Sequence, residues 1–330
     1  MAGKTTDNKV IKNRAETVTP AAGDLTYDQV KQEHKLYFNI VKRRYIWFAI
    51  SLLILIPGII SLFIQGLNLG IDFTGGTMLD IKFNQAVTQQ KITKALESVG
   101  LAGTVQMSGD TGALIRTSFL EDQKRDELLS ALQKDAGTFD PGNLKEDKVG
   151  PAIGAELRSG AVKAIALASI LILLYVSVRF RFIYAVSGVV ALLHDIFVTI
   201  GIFSIFQWQI DATFIAAILT VFGYSINDTV VIYDRIRENE KRMKKRDSFE
   251  DMVDKSVWQT MGRSIKTVGT VIIALFCIYI LGGESTKVFA LAMMIGVFSG
   301  AYSSIFTASQ IVVEVKTRFV DKKKPGTAEA

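Results

Sequence analysis

Six apolar runs, each about as long as a bilayer is thick, constrain this chain more than any other feature. They fall at about 45–67, 160–178, 183–206, 211–233, 264–282 and 288–313. A helix needs roughly 20 mostly apolar residues to cross the hydrocarbon core, and inside it every backbone polar group must be satisfied within the segment. Each run is therefore expected to be a spanning α-helix. Pro57 should kink the first, and Tyr45 and Trp47 sit where an interfacial aromatic belt belongs. The composition agrees, with 49% of the 330 residues hydrophobic and a mean hydropathy of +0.30.

A net charge of +6 suggests nucleic acid until its distribution is considered. Lys42–Arg44, Arg179 and Arg181, nine Lys/Arg between Arg235 and Arg263, and five after Glu314 all border one face. The opposite face has none in Gln207–Asp211 and only Lys287 in the last short loop. By the positive-inside rule both termini are expected in the cytoplasm, with residues 68–158 outside. Residues 1–34 are polar and no cleaved leader is expected; Leu36–Val41 should lie at the membrane face. A single cysteine, Cys277, excludes disulfides within one chain, and no metal or cofactor site is expected.

Residues 68–158 carry no spanning run, and their 13 acidic and 10 basic residues suit a folded polar domain. Gly76–Phe83 alternates like a strand and Thr88–Val99 has helical spacing. Val105–Met107 and Ala113–Phe119 flank a Gly109–Gly112 turn, Glu121–Ala136 is amphipathic, and a short strand should follow Pro141-Gly142 and end near Val149. That order, βαββαβ, is ferredoxin-like. The fold class is thus an α-helical polytopic membrane protein with an α+β ferredoxin-like domain between its first two spanning helices. Its parts are a terminal segment 1–44, a first helix 45–67, the domain 68–158, a bundle 159–313 and a tail 314–330. In the loop 234–263, Ser248 with Asp251 could cap a helix whose Phe249, Met252, Val253 and Val257 share a face, suited to the membrane surface or a partner.

The chemistry is concentrated in Phe222–Asn239, where Ser225, Asn227 and Asp228 interrupt an apolar run. A carboxylate inside a membrane helix costs at least ~2.5 kcal/mol on insertion scales, so it is kept for a partner or a task. The spacing puts these polar groups on roughly one half of the helix, facing the bundle interior or a wet cavity. Desolvation favours the neutral acid and a nearby cation the carboxylate, so such a group can load and release a proton as its surroundings change. His194-Asp195 is a second intramembrane pair; adjacent residues point about 100° apart and cannot easily share a partner. Arg263, Lys266, Thr267 and Thr270 open the fifth helix on the same side as Asp228, and Arg263 can either pair with it or snorkel at the interface. Asp228, Asn227, Arg263, Asp195 and His194 form the expected proton or ion path. Gly282, Gly283, Gly296 and Gly300 suit close helix packing.

Five motifs together resemble the SecF family, the smaller of the paired membrane subunits that assist bacterial protein export. They are Gly70-Ile71-Asp72-Phe73-Thr74-Gly75-Gly76, Val149-Gly150-Pro151-Ala152-Ile153-Gly154-Ala155-Glu156-Leu157, Ala191–Asp195, Phe222–Asn239 and Arg263–Thr270. The resemblance covers roughly Asn39 to Val320, with Met261-Gly262-Arg263-Ser264 a mild variant of the usual pattern. It implies a bundle of the RND-transporter kind paired with a similar bundle from SecD. It also implies use of the proton-motive force to help polypeptides leave SecYEG after SecA has pushed them, with YajC as a further partner. On that basis Asp228 and Arg263 belong to the proton path, and the outer domain touches the emerging chain. Gly70, Asp72, Phe73, Gly75 and Gly76, with Gly150, Pro151, Gly154 and Glu156, are expected to be mechanical couplings at the two domain junctions. Three rivals remain: a scaffold of the translocon without ion movement, a small-molecule efflux subunit, and an intramembrane aspartyl protease built on Asp195, Asp228 and Asp234. The outer domain is small for a drug porter and no Gly-x-Gly-Asp pattern is present, so no enzymatic activity is expected.

Overall fold

The computed structural model of the chain describes residues 26–34, 37–244 and 247–320. Most of the polar N-terminal segment, Leu36 and the tail beyond residue 320 lie outside them. Among the described residues six helices are long and apolar enough to cross a membrane. After a short helix α1 (Tyr27–Glu33) comes α2 (Arg44–Ile64), then a single turn α3 (Ile71–Thr74) and the outer domain. The bundle continues with α6 (Pro151–Arg179), α7 (Phe182–Phe206), α8 (Ala212–Arg242), α9 (Phe249–Leu281) and α10 (Glu284–Ser303). The last crossing is completed by a π-helical stretch Ser304–Ala308, by α11 (Ser309–Val315) and by a second π stretch, Lys316–Val320.

The outer domain has the expected order: β1 (Gly76–Phe83), α4 (Gln89–Ser98), β2 (Gly103–Ser108), β3 (Gly112–Thr117), α5 (Asp122–Asp135) and β4 (Phe139–Val149). The sheet order β2-β3-β1-β4, all antiparallel, is ferredoxin-like. Alternating Leu79, Ile81 and Phe83 meet Ile92 and Leu96 of α4 and Leu128 and Leu132 of α5 in one core. Pro141-Gly142 does not precede the last strand but lies inside it, where the register shifts between Ile81 and Phe83. An edge strand tolerates proline there because that amide has no ladder partner to lose.

Burial separates the helices. In α7 and the last crossing 56% of the apolar window is buried, against 6% in α6 and 17% in α2 and α9, so the first two form the centre. One layer of the core gathers Phe203, Phe214, Ile218, Phe222 and Val297 on the side of the outer domain. The other gathers Tyr233, Ile236, Val253, Val257 and Val312 on the basic side.

The basic side departs most from the sequence reading. Helices α8 and α9 run well past the apolar boundaries, α8 to Arg242 and α9 from Phe249, so the described part of the charged loop is mostly two helical extensions. Ser248 stands at the N-cap of α9 but its side chain makes no capping bond. Met252, Val253 and Val257 are buried in the protein rather than laid on a membrane surface. The covering is partly the chain's own beginning, because Ile40 and Val41 are fully buried and their amides donate to Asp254 Oδ1 at 2.8 and 3.3 Å. Tyr37 and Tyr27 donate hydroxyls to its Oδ2 at 2.6 and 3.2 Å, and Trp258 Nε1 donates to the Phe38 carbonyl. Burial first, then Asp254, pushes the Tyr37 phenol up, so it remains a donor. Trp47 is likewise internal, donating to the Ile40 carbonyl and packing 4.3 Å from Phe306, whereas Tyr45 stays exposed. Gly282 and Gly283 form the turn between α9 and α10 rather than a packing surface.

Candidate functional site

Asp195 lies halfway along α7 and is fully buried. Three serine hydroxyls donate to it: Ser225 of α8 to Oδ2 at 2.7 Å, Ser299 to Oδ1 at 2.7 Å and Ser303 to Oδ2 at 2.8 Å, the last two from α10. The neighbouring His194 Nδ1 is 3.1 Å from Oδ1, so the two adjacent side chains meet each other instead of diverging. His194 stacks on Tyr302 at 6.0 Å and its Nε2 is buried without a partner. Close helix approach makes this cluster possible. A Cβ on Gly300 would lie 2.9 Å from Ser225 Cβ, and one on Gly296 would lie 2.4 Å from Val221 Cγ2. Those two glycines bring α10 against α8, which carries Ser299 and Ser303 to the carboxylate.

Asp228 follows Ser225 by one turn of α8 and is only half satisfied. Ser264 of α9 donates to Oδ1 at 2.6 Å, while Oδ2 is buried with no partner. Arg263 adjoins that serine on α9 but is exposed, and among the described residues it forms no ion pair with Asp228. The polar residues of this stretch do not share one face. Ser225 is buried, whereas Asn227 is exposed on a stripe with Ala212, Ala216, Thr220 and Gly223. A 100° step per residue separates them once Asp195 fixes Ser225 inward.

Polar groups continue from the cluster toward the basic face. Thr229 and Ser304 hydroxyls are 2.7 Å apart, and Ser304 opens the π stretch, a local widening often found at functional sites. Ser299, Ser303, Ser304 and Thr307 went unnoticed in the sequence, although hydroxyls recurring at helical spacing inside an apolar run are the available signal.

At the domain junction the Gly70–Gly76 motif forms α3 and its flanks. Gly70 N donates to the Ile210 carbonyl at 2.8 Å, Ile210 N donates to the Asn68 carbonyl, and Asp72 Oδ2 accepts from the amide of Ala212, the first residue of α8, at 2.8 Å. Gly75 has φ +73°, and a Cβ on it would lie 2.8 Å from Pro151 Cα; one on Gly154 would lie 2.8 Å from Gly75 N. Here α3 and the first turn of α6 touch backbone to backbone. Phe73 is buried beside this contact, with Gly76 next in the chain opening β1; Gly150 caps α6, and Glu156 is exposed. The two junction motifs therefore form one contact, and Asp72 joins it to the helix that carries Ser225 and Asp228.

A six-helix, RND-like bundle with buried carboxylates and one inserted ferredoxin-like domain defines a class of polytopic membrane protein. Residues 129–318 match the family model for the C-terminal part of protein export membrane proteins SecD/SecF, and residues 60–87 match that for the SecD/SecF GG motif. The chain belongs to the SecD/SecF family. It is 40% identical to the protein translocase subunit SecF of Sebaldella termitidis, covering 88% of this chain and 94% of that one. It is 38% identical to the translocase subunit SecDF of Bacillus subtilis, covering 85% of this chain but 38% of that longer protein. The crystal structure of SecDF from Thermus thermophilus matches with TM-score 0.78 and 34% identity over 86% of this chain and 39% of that one. A SecDF structure in a super-membrane-facing form matches with TM-score 0.65 at 33% identity, covering 88% and 40%. These relatives support a Sec-pathway accessory role and a relationship to SecD.

Proposed function

We propose that this chain pairs with SecD beside the SecYEG channel and uses the proton-motive force to promote the late, SecA-independent part of protein export, with YajC as a further neighbour. The observation that carries the reading is Asp228: one carboxylate oxygen held by Ser264, the other buried and bare, with Arg263 nearby and unpaired to it. A proton can be taken up there without displacing an existing hydrogen bond. Asp195 with His194 holds α7, α8 and α10 around that position. Asn227 faces outward among small residues, as suits a companion bundle better than lipid.

In this reading the basic face is cytoplasmic in the bacterial inner membrane and the ferredoxin-like domain is outside, where it touches the emerging polypeptide. Movement passes between the two through Asp72, which binds the first amide of α8, and through the Gly75–Gly154 contact. The proposed role is non-enzymatic, since Asp195 and Asp228 bind different hydroxyls and share none, whereas aspartyl catalysis needs two carboxylates sharing a proton. The test is preprotein export into inverted membrane vesicles carrying Asp228→Asn with its partner subunit, with and without an imposed proton gradient. The gradient-dependent part should vanish with assembly intact; unchanged gradient dependence would leave a scaffold.

A further inference from the structure

We propose that the pocket between the α6–α7 turn and the basic end of α8 binds the headgroup of an anionic phospholipid. The turn is set by Phe180, buried 6.3 Å from the Tyr184 ring and 5.9 Å from that of Tyr233. Beside it α8 has already left the apolar core and presents Arg237, Glu240 and Lys241. Together with Phe180, Arg181 and Tyr184 these line a pocket of about 360 Å³.

Three cations and one carboxylate line the pocket, and the carboxylate is already neutralised. Glu240 Oε1 is 2.7 Å from Lys316 Nζ and 3.4 Å from Arg181 Nη1. Arg237 reaches Asp234 only at 3.4 Å, and Lys241 has no ion pair among the described residues. The Tyr184 side chain is 6% exposed and its hydroxyl is buried without a partner, so an entering phosphate oxygen supplies the acceptor that the protein does not. None of these residues has a part in the proton path.

The surroundings select a lipid over a free anion. Phe182, Val186 and Val190 follow the pocket along α7 at a spacing of four residues, and all three are exposed, as is Val178 at the end of α6. An acyl chain laid on that stripe ends at the pocket with its headgroup among Arg181, Arg237 and Lys241. Basic pockets between spanning helices are where anionic headgroups bind, each cation adding about fivefold in affinity.

The experiment titrates the full-length chain, purified in neutral detergent, with dioleoyl phosphatidylglycerol, dioleoyl phosphatidylcholine or inorganic phosphate. Bound lipid is read by native mass spectrometry and the shift in unfolding temperature is followed in parallel. Phosphatidylglycerol should bind and stabilise; phosphatidylcholine should bind about a hundredfold less tightly, as the loss of three cation contacts implies. Lys241→Ala should weaken phosphatidylglycerol about fivefold and Arg237→Ala with Lys241→Ala about 25-fold, whereas Lys42→Ala, on the same face outside the pocket, should not. Tyr184→Phe should weaken lipid binding without lowering the unfolding temperature of the lipid-free chain. Equal binding of the two lipids, or unchanged binding by the double variant, overturns the proposal. Equal stabilisation by inorganic phosphate overturns the assignment to a lipid.

Discussion

Asp195 and Asp228 are the same side chain in the same bundle, one helix apart, and their surroundings differ. Asp195 receives three serine hydroxyls and lies against His194, and it is sealed from solvent. Asp228 receives one serine and keeps an oxygen bare. A proton arriving at Asp195 must displace a hydrogen bond that holds helices together, whereas at Asp228 it meets an open site. On the proposed reading, the number of donors around a buried carboxylate is what separates anchor from carrier.

The comparison can be broken first at the packing beneath it. Gly300→Leu forces a branched side chain into Ser225, where a bare Cβ is already at 2.9 Å. It should cost about 3 kcal/mol in detergent unfolding and should withdraw Ser299 and Ser303 from Asp195. Asp195→Ala leaves the Ser225 and Ser299 hydroxyls without an acceptor and Ser303 with only the Gly300 carbonyl at 3.2 Å, for a loss of about 2 kcal/mol in the same measurement, since hydrogen bonds in membrane interiors are individually modest. Asp72→Ala removes the acceptor at the first amide of α8 and should lower stability by about 1 kcal/mol. If Asp72 also transmits movement, this variant should depress gradient-driven export more than unfolding temperature predicts, and equal losses would reduce it to a cap. Asp228→Asn keeps an acceptor for Ser264 and should change stability by less than about 0.5 kcal/mol.

Much of this was legible in the residues. Spans of about 20 apolar residues can be little else, and the βαββαβ order followed from alternation, helical spacing and turn residues around Gly109–Gly112. The basic side was less legible because hydropathy marks where a membrane ends, not where a helix does. Nothing between Trp258 and Ser264 stops a helix, so α9 runs through the charged boundary. Nor does periodicity reveal that Ile40 and Val41 cover that extension, since the Asp254 contacts span more than 200 positions in sequence. Within the site, Asp228 stood out because charge in an apolar run is rare, whereas Ser299 and Ser303 are ordinary in such a run. Their significance depends on Gly296 and Gly300 setting the distance between α8 and α10, a tertiary fact.

The central claim is tested most directly by comparing Asp195→Asn and Asp228→Asn, each with its partner subunit, for unfolding temperature and for gradient-dependent export in the same vesicles. The account predicts a crossed result: Asp228→Asn unfolds like the parent protein but loses the gradient-dependent export, while Asp195→Asn unfolds earlier and retains gradient dependence in the molecules that stay folded. Export by Asp228→Asn that still responds to the gradient, or an unfolding temperature that falls as far for Asp228→Asn as for Asp195→Asn, would contradict it.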